Sequence, residues 1–215
     1  MIMNILITVA HPDDETVGMG GTIKKLSKNN KITLCVMSDG ASAQYEDKKM
    51  IKIRQDSCKK AGKILGISKF HFLDFPDMKL DSIPHVEMNK ALEKIVKKTN
   101  PKILYSTPYN DLNKDHSLVF DSCSVVSRPI SSKIKQFICF EIGGRCKTQF
   151  NPNIYVDISK ELQFKMNAFK QYKSEVNQFP HPRSLKFLES LSNVRGVESG
   201  LKNAEAFELI RNIVD

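Results

Sequence analysis

The sequence of 215 residues has no apolar run near the roughly 20 residues that cross a bilayer. Its opening stretch, MIMNILITVA, lacks the basic start and small-residue cleavage site of a secretory signal, so a cytoplasmic protein with no membrane span is expected. The five cysteines (Cys35, Cys58, Cys123, Cys139, Cys146) are odd in number, scattered and never spaced C-x-x-C, which argues against a disulfide framework and a cysteine zinc site. Cys35, Cys58 and Cys139 lie among apolar neighbours and read as buried, reduced thiols.

A basic block of five or more residues is also missing. The formal charge of +9 would suit nucleic acid, a membrane surface, or a phosphorylated or nucleotide-linked substrate. The lysines, however, are spread singly or in pairs over nearly every helical stretch, without aromatics at stacking intervals, so a solvated surface and no nucleic-acid partner are expected. With no repeat, low-complexity tract or flexible linker, and 40% hydrophobic content, residues 1–215 read as one domain with a real core.

What is present is an alternation. Short runs rich in Val, Ile, Leu and Phe at residues 3–9, 31–38, 69–74, 102–107, 135–141 and 153–158 predict buried strands. Residues 15–29, 47–65, 84–99 and 116–127 carry apolar positions three or four apart with lysine-rich outer faces and predict surface helices. This order implies an α/β, Rossmann-like three-layer fold with a mostly parallel sheet, whose ligands bind at the carboxyl ends of the strands. Residues 159–215 read as a C-terminal helical extension packed on the sheet: a helix over about 159–175, the segment Phe179-Pro180-His181-Pro182-Arg183, then one or two more helices.

The chemistry-bearing residues fall at strand ends. Ala10-His11-Pro12-Asp13-Asp14-Glu15 follows the first strand, and carboxylates at a buried strand end must be paired or bound to a metal. Imidazole and carboxylate are normal zinc ligands, and a catalytic zinc usually takes three from the protein. The best remote third ligand is His116, in the loop that follows the fourth strand. N-capping would explain an acid at a helix start but neither His11 nor two adjacent acids. A G-x-G-x-x-G turn is lacking here, which argues against a dinucleotide oxidoreductase. His71 and His85 have no such companions and read as structural.

AHPDDE after the first strand, a Gly-rich helix start and the later Asp115-His116 resemble the PIG-L/LmbE-like N-acetylglucosamine deacetylases over nearly the whole chain. Supporting matches are Asp39-Gly40, Arg54, Leu65-Gly66, Phe75-Pro76-Asp77, His181-Pro182-Arg183-Ser184, Arg195-Gly196 and Ala204-Glu205-Ala206-Phe207. The resemblance implies zinc (Zn2+) held by His11, Asp14 and His116, with Asp13 as general base. It also implies that Arg54 and Asp77 hold sugar hydroxyls or polarise neighbouring groups; Asp39 lies on the same rim. Glu15 is expected to cap the helix or support the site.

Where the family often has a second histidine, three residues before the ligand histidine, this chain has Asn113. An amide can donate to an oxyanion but cannot deliver a proton near neutral pH, so either Asp13 shuttles its proton or His181 supplies one. In a homo-oligomer His181 would be able to serve a neighbouring subunit. The expected activity is zinc-dependent removal of an N-acetyl group from an N-acetylglucosamine-type sugar or glycoconjugate. The alternatives are a metal-dependent hydrolase of another bond, such as a phosphoester, and, from a different class, a basic nucleic-acid-binding module.

Overall fold

The structure is a computed structural model and describes residues 2–45, 47–144 and 147–214. Seven strands form one sheet: β1 (Asn4–Val9), β2 (Lys31–Ser38), β3 (Lys69–Phe75), β4 (Ile103–Ser106), β5 (Gln136–Phe140), β6 (Ile154–Asp157) and β7 (Ala204–Asn212). Their order is β3-β2-β1-β4-β5-β7-β6. Strands β1 to β5 run parallel, and β7 runs antiparallel to both β5 and β6.

Alternate residues of β1 face opposite layers, as strand geometry requires. Ile5, Ile7 and Val9 join Ile23, Leu65 and Phe169 on the side of α1 (Asp14–Leu26), α2 (Lys49–Leu65) and α5 (Leu162–Phe169). Leu6 and Ala10 join Leu92 and Val119 on the side of α3 (His85–Thr99) and α4 (Lys114–Val126). Because both faces are covered, β1 and β2 are nearly continuous apolar runs rather than alternating ones. The fold is thus the expected three-layer α/β arrangement.

The last sixty residues differ in detail from the sequence reading. α5 ends at Phe169 instead of running to about 175, because the chain turns out of the helix to bury Tyr172 against Glu15 and bring Glu175 to Arg54. After α6 (Leu185–Ser199), Gly200 takes a left-handed conformation (φ +71°), and the chain continues as β7 where another helix was expected. Ala204, Glu205 and Ala206 are good helix formers, but here tertiary bonds override propensity. Glu205 accepts the amides of Gly21 (3.0 Å) and Thr22 (2.7 Å) and the Lys165 ammonium (2.7 Å), which fixes the strand against the start of the sheet's helical layer.

Cys35, Cys58, Cys123 and Cys139 are free and buried, and burial pushes their thiols up; Cys146 lies outside the described residues. His85 starts α3 with Nε2 3.1 Å from Ser122 Oγ, and His71 lies on β3 at the sheet edge. Among the described residues no helix is long and apolar enough to cross a membrane. Strand order reverses between β1 and β4, since β1 is followed outward by β2 and β3 on one side and by β4 and β5 on the other. Such a switch point opens a crevice at the carboxyl ends of the strands.

Candidate metal centre and cleft

The loop after β1 sits at that crevice. Ser38, ending β2, donates its amide (2.9 Å) and Oγ (2.8 Å) to the Ala10 carbonyl, so the two strand ends are tied together. Gly40 follows with φ +64°, and a Cβ there would lie 2.2 Å from Pro12 Cδ; only glycine lets the two turns touch.

Asp13 has φ +126°, a conformation an L-residue rarely adopts and holds only when its surroundings enforce it. The enforcement is visible. Its carbonyl accepts from Thr16 and Val17, and its amide donates to Glu15 Oε2 (3.2 Å). Glu15 is itself held by Thr16 Oγ (2.7 Å) and the Tyr172 hydroxyl (2.5 Å), and burial pushes its carboxyl up to about 7. The Asp13 side chain makes no helix cap; Arg183 grips it with two prongs, Nε to Oδ2 at 2.7 Å and an Nη to Oδ1 at 3.1 Å.

Asp14 and the two histidines meet beside it. Asp14 Oδ2 lies 3.4 Å from His11 Nδ1 and 3.3 Å from His116 Nε2, and those two nitrogens are 3.2 Å apart. All three residues are buried, and their donor atoms lie within 4.8 Å of one another. Behind His116, Asp111 Oδ2 is 2.7 Å from Nδ1; behind His11, Asp77 Oδ1 and Asp115 Oδ2 are 3.2 and 3.4 Å from Nε2.

Charge follows from this crowding. Burial alone would lower the pKa of both histidines, but Asp115, Asp14 and Asp77 around His11, and Asp14 and Asp111 around His116, outweigh it and raise both. Burial would raise Asp14, yet His116 and His11 hold it well below the usual carboxylate range. Among the described residues no lysine or arginine comes within 4.0 Å of Asp77, Asp111 or Asp115. The histidines are thus the partners these carboxylates have within that distance, and buried carboxylates are costly unless paired or bound to a metal, so this is a place that favours a cation. Two imidazoles and a carboxylate with converging lone pairs are a donor set that zinc accepts, and the buried His11 Nε2 and Asp115 Oδ2 lack a well-aligned hydrogen bond.

A cleft of about 480 Å³ opens over the centre, lined among others by His11, Arg54, Asp77, Asn113, His181 and Arg183. The other residues singled out in the sequence divide as follows. Arg54 is buried, donates to the Pro12 carbonyl (3.0 Å) and pairs with Glu175. Asn113 caps α4 by accepting the Asp115 amide (3.0 Å), and its Nδ2 reaches Met78 Sδ. His181 is exposed, and its Nδ1 accepts the Arg183 amide at 3.0 Å. Asp39 Oδ1 accepts the amides of Ala41 and Ser42, both at 2.9 Å, so that oxygen belongs to the turn. Asp13 and Asp14 are fully buried and do not line the cleft; Arg183 forms the wall in front of them.

Sequence reasoning missed five contributors: Asp111, Asp115, Tyr172, Glu175 and Arg183. Asp111, five residues before His116, carried a local signal, an acid beside a candidate ligand histidine. Arg183 stood inside the matched His181-Pro182-Arg183-Ser184 motif without a role. For Tyr172 and Glu175 nothing local pointed to the site.

Comparison with known proteins agrees with this geometry. Residues 6–125 match the family model described as PIG-L: GlcNAc-PI de-N-acetylase. The chain is 25% identical to a diacetylchitobiose deacetylase of Thermococcus kodakarensis, over 99% of this chain and 85% of that protein. Among solved structures, a conserved protein from Thermus thermophilus superposes with a TM-score of 0.82 at 19% identity, covering 100% of this chain and 97% of the other. A 4-carboxy-2-hydroxymuconate hydratase, GalB from Pseudomonas putida, superposes with a TM-score of 0.78 at 17% identity, over 99% and 98% of the two chains. The fold therefore hosts more than one reaction, and the site has to choose between them.

Proposed function

The chain belongs to the PIG-L family, and from that premise we propose that it is a zinc-dependent hydrolase removing the N-acetyl group of an N-acetylglucosamine-type sugar or glycoconjugate. The observation that carries the reading is the buried convergence of His11, Asp14 and His116 beneath a polar cleft that His11 lines, with Asp13 fixed next to them by Arg183. His11 Nδ1, an Asp14 oxygen and His116 Nε2 would hold the zinc ion. When bound, zinc supplies Lewis-acid polarisation of an acyl carbonyl and makes nearby water more acidic.

The chain's own groups supply the rest. Asp13, oriented by Arg183, accepts the proton of the attacking water and passes it to the departing amine. His181 serves as a hydrogen-bond donor rather than as the acid: its Nδ1 is taken by the Arg183 amide, so the neutral ring carries its proton on Nε2. Asn113 also lines the cleft, and its amide is a second donor for the acetyl oxygen. Arg54 and Asp77 line the cleft and are the candidates for sugar hydroxyls, whereas Asp39, buried and engaged in its turn, does not line it. The two described arginines of the cleft are both paired with carboxylates, which favours a neutral sugar over a phosphorylated one.

The test is acetate release from a panel of neutral and phosphorylated N-acetylglucosamine derivatives by metal-analysed, zinc-loaded protein, with Asp13→Asn as control. Zinc-dependent release that the variant lacks supports the reading; bound zinc without release from any amide rejects it. For the proton path, His181→Ala should lower turnover without shifting the pH profile. A profile that loses its alkaline limb in the variant would instead make His181 the acid.

A further inference from the structure

Each of the two histidines at the centre turns one nitrogen inward and sets the other against carboxylates. His116 presents Nε2 to Asp14 and His11, while its other nitrogen is 2.7 Å from Asp111. His11 presents Nδ1 to the same place, and its other nitrogen lies between Asp77 Oδ1 at 3.2 Å and Asp115 Oδ2 at 3.4 Å. These acids come from different elements: Asp77 from the loop after β3, Asp115 from the first turn of α4. Neither is loose. The Asp77 amide donates to Ser42 Oγ (3.1 Å), and Asp115 Oδ1 accepts the Leu80 amide (3.2 Å) from a short 3-10 turn, Leu80–Ser82.

Two buried carboxylates facing one nitrogen, with no described lysine or arginine within 4.0 Å, form a costly arrangement unless a shared N–H offsets it. A neutral imidazole has one N–H and one lone pair, and an acceptor beside one nitrogen fixes the proton there and leaves the lone pair on the other. His11 Nε2 and Asp115 Oδ2 are buried and neither forms an aligned hydrogen bond with any group, while the two acid oxygens stand 3.2 and 3.4 Å from Nε2, so nothing in the described structure competes with them for that proton.

We propose that Asp77 and Asp115 are positioning residues: together they keep the proton of His11 on Nε2, and so direct the Nδ1 lone pair into the centre shared with Asp14 and His116. Asp111 does the same for His116 from the opposite side. The inference rests on the metal reading above and changes one part of it, because it gives Asp77 a task toward His11 before any task toward a sugar. It also explains why an acid from the β3 loop reaches the β1 loop at all.

The experiment is zinc competition against a chromophoric chelator, paired with long-range 1H–15N spectra of the histidine rings in the zinc-loaded wild-type chain. The spectra should place the His11 proton on Nε2, and this measurement needs no variant to fold. Asp77→Asn and Asp115→Asn should each weaken zinc binding by about 10- to 100-fold, and for Asp115→Asn, which does not line the cleft, kcat should recover at excess zinc with KM unchanged. An Nδ1 proton on His11 overturns the proposal. So does an Asp77→Asn enzyme that binds zinc as tightly as wild type but shows a raised KM, which would make Asp77 a substrate contact. A second zinc equivalent that disappears in Asp115→Asn overturns it too, by making the acids ligands themselves. If the wild-type chain binds no zinc, the metal reading has failed, and that is seen before any variant is compared.

Discussion

The acids of the site fall into two groups with different partners. On the wall facing the C-terminal segment, carboxylates meet arginines: Asp13 is gripped by Arg183, and Glu175 pairs with Arg54. On the floor, Asp14, Asp77, Asp111 and Asp115 meet histidines, and Asp14 alone of these also stands within reach of Arg183, at 3.4 Å. An arginine is charged at every accessible pH, so the wall is a set of permanent, geometrically fixed pairs. A histidine offers a lone pair or a proton, so the floor stays open to whichever cation arrives. The difference separates two tasks: the wall orients, and the floor binds.

Breaking the floor should have the largest effect. His116→Ala, or removal of metal with a chelator, should abolish turnover; only the chelated wild type should recover with added zinc, as metal analysis and an acetate assay would check. Next, Asp13→Asn should keep its zinc and lose about 100- to 10,000-fold in kcat, the range a general base contributes. If it lost metal as well, wall and floor would not be separable.

Arg183→Ala tests the wall as structure. It leaves a buried Asp13 carboxylate unpaired, and breaking a buried pair costs about 3–5 kcal/mol, readable by denaturant unfolding. A loss of activity with no loss of stability would make Arg183 a substrate contact instead. The smallest effect should be that of Tyr172→Phe, which removes a single hydroxyl from Glu15 and should cost about 1–2 kcal/mol of stability with little change in zinc affinity.

The floor was the more legible group. His11 and Asp14 are three residues apart at the end of an apolar strand, and His116 follows another strand, so once β-α-β alternation is recognised the two loops are bound to approach. The wall was not legible, because its contacts join residues far apart in sequence: Arg183 and Asp13 are 170 positions apart, Tyr172 and Glu15 157. Their pairing depends on where α5 ends, and the apolar spacing of residues 159–175 does not show that the helix stops at Phe169. β7 was hidden for a related reason. Ala204-Glu205-Ala206 has the composition of a helix, and only its bonds to Gly21, Thr22 and Lys165 make it a strand.

The grip of the C-terminal segment on the His11–Glu15 loop bears on how such a chain can be recombined. The family match ends at residue 125 and includes Asp13, Glu15 and Arg54, whereas Arg183, Tyr172 and Glu175, which hold them, lie beyond it. A breakpoint between the two would pass on a motif whose buried acids and arginine have lost their partners. A chimera that exchanges one half must therefore carry across the matching residues of the other.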